Sequence, residues 1–246
     1  MKCVVCGSDD FTHGEVLSDE LVNEWEINET ERGYIDRQQG TICSACGCNI
    51  RSQALAKSIL NHWNDVGTFS DFVKNHQSLR VLEMNGAAHL TSYLAQMPNR
   101  ILAEYPEVDM RALPYESESF DIVVHSDTLE HVPDPVTALK ECRRVLKKGG
   151  LLCYTVPTIV QRMTRTREGL PPSYHGTPGA QEYLVVSEYG ADAWQQMIEA
   201  GFDDVKITTF DYPAGIAISS SNGPIPVIQP IVQERTFLQK LLGARA

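Results

Sequence analysis

The sequence predicts an α/β fold with a mainly parallel sheet, preceded by a small module that needs a metal ion to hold it together. Four short apolar runs, "RVLEM", "RILAE", "FDIVVHS" and "LLCYTVP", are separated for the most part by helical patterns, as in parallel sheets covered on both faces. Ahead of these runs, two CxxC pairs flank a polar stretch with weak apolar periodicity. A chain of 246 residues has room for one such domain and a small appendage.

Composition narrows the function classes. The formal net charge is −11, so the long-range field repels phosphate backbones and anionic membranes and argues against nucleic acid as a partner. The chain has neither a run of about 18 apolar residues nor an N-terminal signal-peptide pattern, and we therefore expect no membrane span and a cytoplasmic location. Seven cysteines, an odd number concentrated near the start, fit metal ligands in a reducing compartment better than disulfides.

The cysteine pairs predict a structural zinc site within residues 1–50. Two residues between thiolates let one tight turn direct both sulfurs at one ion, and the glycine after each pair allows backbone conformations that a side chain opposes. The alternatives are reduced cysteines that only pack, or Cys48 as a substitute ligand. The 36 residues between the pairs exceed the gap of a compact zinc ribbon and predict an inserted hairpin or helix. The predicted ligands are Cys3, Cys6, Cys43 and Cys46.

The sequence predicts helices between the cysteine module and the sheet, and further helices that connect the strands. Residues 51–77 form a predicted helical linker, with Ser52 as the N-cap of the first helix. The clearest helix is "DPVTALKECRRVLKKGG", where Asp134 caps the start and Pro135 suits the first position. Cys142 on the apolar face of that helix and Cys153 in a strand are predicted to pack in the core.

The later part of the chain has three predicted units. Pro157 and residues 158–190 together contain four prolines and show little periodicity, which fits an active-site cover or a disordered link. A helix at "ADAWQQMIEAGF" and strands at "VKITTF" and "GIAISSS" then close a main domain predicted over residues 78–222. Residues 223–246 are too apolar for a solvated tail, so we expect this extension to pack on the body or to join two subunits in a homo-oligomer.

The stretch "LPYESESFDIVVHSDTLEHVPDPVTALKECRRVLKKGGLLCYTVP", residues 113–157, closely resembles class I S-adenosylmethionine-dependent methyltransferases with a type 11-like domain. In that group the fourth strand is followed by "LEHV" and by a helix ending in "VLKKGG". With weaker similarity on both sides, the resemblance covers roughly residues 79–220. It implies a Rossmann-like, seven-stranded, mainly parallel sheet with a reversed last strand.

Acidic side chains follow the apolar runs, which is where a ligand binds in an open α/β sheet. They are Glu83, Glu104, Asp109 and Asp127. Carboxylates accept hydrogen bonds from a ribose diol, an exocyclic amine or an ammonium group. A phosphate-bearing dinucleotide would instead favour backbone N–H groups and positive charge. The acids therefore favour S-adenosylmethionine over NAD.

The resemblance implies that Glu83 orients the methionine end of the cofactor through the first loop. Asn85, Gly86 and Ala87 would bring the backbone of that loop close to the ligand. Asn85, Ala87 and His89 stand where the family most often has glycine. Asn tolerates left-handed backbone and Ala is small, so a close approach stays open, with weaker cofactor affinity as the expected consequence.

The resemblance assigns the rest of the cofactor to the following strand ends. Glu104 would accept from the ribose hydroxyls, and Asp109 from the adenine amine, with the backbone of Met110 alongside. Ser126 and Asp127 would lie under the methionyl portion. Only four residues, "YPEV", separate Glu104 from Asp109, so we expect the third strand of the family to be short or absent.

Two histidines are the candidate catalytic residues. Methyl transfer mainly requires the nucleophile to be aligned with the methyl group, and a base is needed only when the nucleophile loses a proton. His131 follows the fourth strand and is the favoured base, although it could instead organise its loop with Glu130. "DTLEH" also resembles quinone-precursor O-methyltransferases, where a divalent metal can bind, here through Asp127, Glu130 and His131. His175 lies in the cover, where it would contact the acceptor.

The leading functional hypothesis is an O- or N-directed methyltransferase for a small molecule or a glycan, with a structural zinc module. One alternative is an RNA methyltransferase that recognises RNA through the zinc module. Its best basic patch is "RMTRTR", with Arg162, Arg165 and Arg167. The other alternative is a non-catalytic scaffold whose altered first loop no longer binds the cofactor.

Overall fold

The structure is a computed structural model that describes residues 1–175 and 179–223. The predicted homo-oligomer contact of the C-terminal extension lies outside these residues, apart from Gly223. Among the helices described, none has both the length and the apolar character needed to cross a membrane.

The N-terminal region consists of two cysteine turns and the segment between them. Strand β1 (Phe11–Thr12) pairs antiparallel with β2 (Ile42–Cys43), which brings the two turns together. Two helices lie between the strands: α1 (Asp19–Glu24) and α2 (Glu29–Gly40). The prediction of an inserted helix is confirmed. We call residues 13–41 the insert.

Two helices connect this region to the sheet. Helix α3 spans Ile50–Trp63 and α4 spans Phe69–Asn75. The N-cap of α3 is Asn49 and not Ser52, because the Asn49 side chain accepts the N–H of Ser52 at 2.9 Å. Helix α4 begins at a capping box in which Thr68 and Asp71 bond reciprocally.

The remaining elements follow in chain order. The strands are β3 (Val81–Met84), β4 (Arg100–Ala103), β5 (Phe120–Ser126), β6 (Leu146–Thr155), β7 (Thr158–Ile159), β8 (Arg165–Thr166), β9 (Ser187–Gly190), β10 (Lys206–Phe210) and β11 (Gly215–Ser221). The helices are α5 (Thr91–Leu94), α6 (Pro135–Val145) and α7 (Gln195–Glu199). Short 3-10 helices occupy Ala88–Leu90, Leu129–His131 and Gln181–Tyr183.

The main sheet has the order β10-β11-β6-β5-β3-β4. Neighbours from β6 to β4 pair in parallel, whereas β11 is antiparallel to both of its neighbours. The Rossmann-like, mainly parallel sheet with a reversed last strand is therefore confirmed. The described residues give six strands and not seven. The third strand is missing because the four residues between Glu104 and Asp109 are too few to form the expected helix and strand.

Both faces of the sheet are covered. Helix α3 packs against β6, β10 and β11 on one face, together with the cysteine turns and α4. Helices α6 and α7 cover the other face, where β3 contributes Leu82 and β6 contributes Leu152. Cys142 and Cys153 are fully buried in these two layers, as predicted.

Residues 158–190, which we call the cover, form a small sheet of their own in the order β7-β9-β8. The strand β7 is parallel to β9, and β8 is antiparallel to it. The described residues of the cover are thus folded, and some of them line the cleft described below.

Candidate active site

A cleft of about 730 Å³ lies at the carboxyl ends of β3, β4 and β5. One side, which we call the sheet wall, consists of the cleft-lining residues between positions 85 and 133. The opposite side, the outer wall, consists of the cleft-lining residues of the insert and the cover. The sheet wall includes Asn85, Glu104, Asp109, Met110, Asp127 and His131, and the outer wall includes Leu21, Trp25, Ile27, Ile35, Gln38 and His175.

The first loop keeps a glycine-type backbone although it has one glycine. Asn85 has a φ of 51°, Gly86 of 83° and Ala88 of 50°, all in the left-handed region. The Asn85 side chain accepts the N–H of Tyr105 at 2.8 Å, which fixes the loop to the end of β4. The expectation that Asn tolerates this conformation is confirmed. The left-handed alanine is a local strain that the surrounding contacts maintain.

Glu83 is buried beneath this loop and supports it. One carboxylate oxygen accepts the N–H of Ala87 at 2.8 Å and the hydroxyl of Thr91 at 2.5 Å. The other accepts the Arg100 Nε–H at 2.6 Å. Glu83 therefore holds the loop in place and does not itself line the cleft.

Three further predicted cofactor residues lie at the loop rather than in the cleft lining. Ala87 is buried and donates to Glu83. Ser126 is buried, with its hydroxyl 2.8 Å from that of Thr155 and its N–H donating to the Gly86 carbonyl at 3.3 Å. Gly86 shares that bond and is likewise absent from the lining.

The predicted adenosine residues lie together on the sheet wall. Glu104 is exposed at the end of β4, and Met110 is buried. The Asp109 carboxylate accepts bonds from the Arg111 guanidinium at 2.7 and 3.0 Å. This hydrogen bonding holds the pKa of Asp109 below its usual range, so the group is an anion at neutral pH.

Arg51 is the residue of this site that sequence reasoning missed. Its buried guanidinium forms an ion pair with Asp127 and donates to the Gln38 side chain at 2.6 Å. Gln38 in turn donates to the Ala214 carbonyl at 2.7 Å. The sequence signal for Arg51 is its position three and four residues before Ala54 and Leu55, which places a cation on the buried face of α3. Arg51 thus places a positive charge beside Asp127, which has a φ of 51°, and both residues line the cleft.

Glu130, His131 and His175 form a second cluster. The Glu130 carboxylate is 3.7 Å from His131 Nε2 and 3.7 Å from His175 Nδ1. His131 Nδ1 lies 2.9 Å from the Leu184 carbonyl oxygen. One ligand-type atom from each cluster member lies within 4.8 Å of the others. Asp127 does not complete the metal set considered above, since it pairs with Arg51.

The insert and the cover are fastened to each other. Trp25 Nε1–H donates to the Ser173 hydroxyl at 2.9 Å. The Arg162 guanidinium donates to both carboxylate oxygens of Glu31, at 2.9 and 2.7 Å, and to the carbonyls of Trp25 and Glu26 at 2.7 Å. Burial raises the pKa of Glu31, but the Arg162 hydrogen bonds, the Asn28 N–H and the charge of Arg162 together outweigh it and leave the pKa lowered. The outer wall is therefore one preassembled unit.

The basic patch considered for RNA binding is paired with acidic side chains of the protein itself. Arg162 pairs with Glu31, Arg165 with Glu188 at 2.6 Å, and Arg167 with Glu188 at 2.5 Å. Each guanidinium of the patch already has a carboxylate partner.

The four predicted zinc ligands converge. The Cys3 and Cys46 sulfurs are 3.6 Å apart, as are those of Cys6 and Cys43, and all four lie within 4.8 Å. A tetrahedral site with zinc–sulfur bonds of about 2.3 Å has sulfurs about 3.8 Å apart. Burial raises the pKa of Cys43, but backbone N–H groups of Cys46 and Ala45 outweigh this and lower it to about 7. Cys48 is buried outside the group.

The similarity to known proteins includes the part of the chain that forms the sheet wall. The family described as "Methyltransferase domain" matches residues 66–154. Ubiquinone biosynthesis O-methyltransferase of Coxiella burnetii (strain RSA 493 / Nine Mile phase I) is 28% identical over 136 residues, covering 52% of this chain and 50% of the relative. The Pseudomonas putida (strain GB-1) enzyme of the same name is 30% identical over 111 residues, covering 43% and 46%.

A solved structure of a SAM-dependent methyltransferase from Thermotoga maritima, described as a possible histamine N-methyltransferase, is 20% identical. The match covers 58% of this chain and 82% of that one, with a TM-score of 0.37. The chain spans about half the length of the curated relatives it matches. The family match includes β3, β4, β5 and β6 up to residue 154, and thus all residues of the sheet wall.

Proposed function

We propose that the protein is an S-adenosylmethionine-dependent methyltransferase that acts on a small-molecule or glycan acceptor. One observation carries the proposal: a single cleft has the methyltransferase domain on one side and the joined insert and cover on the other. The sheet wall would hold the cofactor and the outer wall the acceptor. A cleft of this size suits small molecules.

The charges of the sheet wall fit S-adenosylmethionine. Asp127 and Arg51 place an anion beside a cation, which matches the ammonium and carboxylate of the methionine end. Glu104 would accept from the ribose, Asp109 and Met110 would contact adenine, and the loop at Asn85, Gly86 and Ala87 would approach the methionine. Glu83 and Ser126 would act by holding that loop. When bound, the cofactor would supply a methyl group on a sulfonium sulfur, which would leave as a thioether when an aligned nucleophile attacks the methyl carbon.

We further propose that Cys3, Cys6, Cys43 and Cys46 hold a structural zinc ion. Four thiolates saturate a tetrahedral zinc ion, so no position stays open for a substrate. The ion would join the two ends of the insert and thereby fix the outer wall. Under this proposal, the zinc module contributes to acceptor binding through the segment between the cysteine pairs.

An oxygen acceptor is favoured by the names of the curated relatives, ubiquinone biosynthesis O-methyltransferases, although nitrogen stays an alternative. The RNA alternative is weaker, because Arg162, Arg165 and Arg167 are paired with carboxylates and the net charge is −11. Counterion release requires free cationic groups that can contact phosphates.

Calorimetric titration tests the proposal. We expect S-adenosylmethionine and S-adenosylhomocysteine to bind the full chain at one saturable site, and NAD to produce no heat. Elemental analysis should find one zinc ion per chain. Absence of heat and of a thermal shift at millimolar S-adenosylmethionine would contradict the enzyme proposal and support the scaffold alternative.

A further inference from the structure

We propose that His175, and not His131, takes the proton released by the acceptor, and that Glu130 is the buried carboxylate that orients the His175 ring. His131 then has a positioning role. The proposal deepens the proposed function and rests on it. It is carried by three observations: the hydrogen bond of His131, the isolation of Glu130, and the stacking of His175 on the insert.

The tautomer of His131 follows from its partner. Nδ1 lies 2.9 Å from the Leu184 carbonyl oxygen, and a carbonyl can only accept, so Nδ1 carries the hydrogen. The neutral ring therefore has its lone pair on Nε2, which faces the Glu130 carboxylate at 3.7 Å. Both ring nitrogens are directed at protein atoms. His131 is thus tied to the cover and has no nitrogen left for an acceptor.

Glu130 needs a proton donor, and His175 is placed to supply it. The carboxylate is 1% exposed, and neither oxygen accepts a hydrogen bond from any residue in the described ranges. An isolated buried carboxylate is unfavourable. His131 already directs its Nδ1–H at the Leu184 carbonyl, and the proposal therefore takes Nδ1–H of His175, 3.7 Å away, as the donor. Catalytic hydrogen bonds are often this long before a substrate tightens the site.

This tautomer makes His175 a base. With hydrogen on Nδ1, the lone pair is on Nε2, on the edge of the ring opposite Glu130, and the ring lines the cleft. A carboxylate behind Nδ1 and a lone pair at Nε2 is the arrangement by which a histidine removes a hydroxyl proton in hydrolytic triads.

The insert holds the ring of His175. Trp25 stacks on it, with ring centroids 5.5 Å apart and an angle of 29° between the planes. Trp25 is itself fixed by its bond to Ser173. The base is therefore assembled from three separate segments: the loop after β5, the cover and the insert.

The reaction then balances as follows. A lone pair of the acceptor oxygen or nitrogen forms the bond to the methyl carbon, and the electron pair of the breaking carbon–sulfur bond stays on sulfur. His175 Nε2 takes the acceptor proton, Glu130 stabilises the resulting imidazolium, and the proton passes to solvent from a side chain that is 25% exposed. The acceptor class is accordingly a molecule with a hydroxyl or N–H to lose, not a thioether or a tertiary amine.

Nitrogen-15 NMR of the full chain with labelled histidine tests the assignment without an acceptor. The chain has seven histidines, and the signals of His131 and His175 are identified by their loss in His131→Gln and His175→Gln. Spectra are recorded at neutral pH with S-adenosylhomocysteine. We expect both rings as the Nδ1–H tautomer. Glu130→Gln should abolish the preference at His175 and leave His131 unchanged, whereas Glu182→Gln, a cleft-lining carboxylate of the cover, should change neither.

Three results would overturn the assignment. The first is the Nε2–H tautomer at His175, and the second is a doubly protonated His131 paired with Glu130. The third is a shift of both ring signals on addition of Mg²⁺, Mn²⁺ or Zn²⁺, which would make the cluster a metal site. If Glu130→Gln fails to fold, the tautomers of His131 and His175 in the wild-type spectrum still test the assignment. Expected tautomers without calorimetric binding of S-adenosylhomocysteine would contradict the proposed function. Binding with other tautomers would contradict the base assignment alone.

Discussion

The two walls of the cleft are built from contacts of very different sequence separation. On the sheet wall, Asn85 bonds a residue 20 positions away and Asp109 a residue two positions away. On the outer wall, Trp25 bonds Ser173 across 148 positions, and Arg162 bonds Glu31 across 131. The sheet wall follows from strand ends, whereas the outer wall depends on two distant segments being held together.

Removal of a zinc ligand should have the largest effect and should separate the two walls. Structural zinc contributes on the order of 10 kcal/mol to small modules, so Cys43→Ser should lose the ion and unfold the insert. Zinc content should fall from one per chain to near zero, and limited proteolysis should cut between residues 13 and 41. Cys48→Ala is the control and should keep its zinc. A Cys43→Ser chain that retains both zinc and protease resistance would contradict the zinc assignment.

Arg51 contacts both walls, through Asp127 and Gln38, so its replacement tests their connection. Arg51→Met removes charge-assisted bonds worth about 1.5–3 kcal/mol and should weaken S-adenosylhomocysteine binding about tenfold or more in calorimetry. Arg51→Lys keeps the positive charge but not the planar guanidinium with its several N–H donors. Its dissociation constant for S-adenosylhomocysteine should fall between those of the wild type and Arg51→Met. An unchanged dissociation constant would exclude Arg51 from the cofactor site.

Loss of the Arg162 clamp should loosen the outer wall alone. Arg162→Met leaves Glu31 buried without a counterion, and we expect a loss of about 2–4 kcal/mol in chemical denaturation. Arg165 is the matched control, because it is half exposed and its buried partner Glu188 keeps a second counterion in Arg167. Arg165→Met should therefore lose under about 1 kcal/mol. Equal losses in the two variants would show that the clamp has no special role.

The same clamp predicts a pH dependence. The pKa of Glu31 is lowered in the folded chain from an ordinary value of 4.5, so the unfolded chain binds its proton first on acidification. The stabilisation is present above pH 4.5 and is lost as the pH falls through the folded pKa. The difference in unfolding free energy between wild type and Arg162→Met should therefore shrink below pH 4.5. A constant difference would assign the effect to packing.

The smallest expected effect concerns the first loop of the sheet wall. Ala88 has a φ of 50°, where a side chain is strained, so Ala88→Gly should stabilise the chain by about 0.5–1 kcal/mol. Ala87 is buried with a φ of −114°, and Ala87→Gly should instead destabilise by about 1 kcal/mol. Denaturation midpoints measure both. Two changes of the same sign would mean that the left-handed loop is not the native conformation.

The sequence could predict the parts that depend on local patterns. Apolar runs located the strands, and the cysteine spacing located four sulfurs that do converge. Local patterns could not predict that Arg51 pairs with Asp127 or that Trp25 lines the cleft. They depend on tertiary packing between segments that carry no shared local pattern, and Arg162 to Arg167 looked like a basic patch because their acidic partners are distant.

A crystal structure of the full chain with S-adenosylhomocysteine tests most directly the claim that one wall holds the cofactor and the other the acceptor. The account predicts adenosine against Glu104 and Asp109, the amino-acid end between Asp127 and Arg51, and the sulfur facing the gap beneath His175. A ligand bound outside the cleft, or a complex in which the insert and the cover lie away from the sulfur, would contradict it.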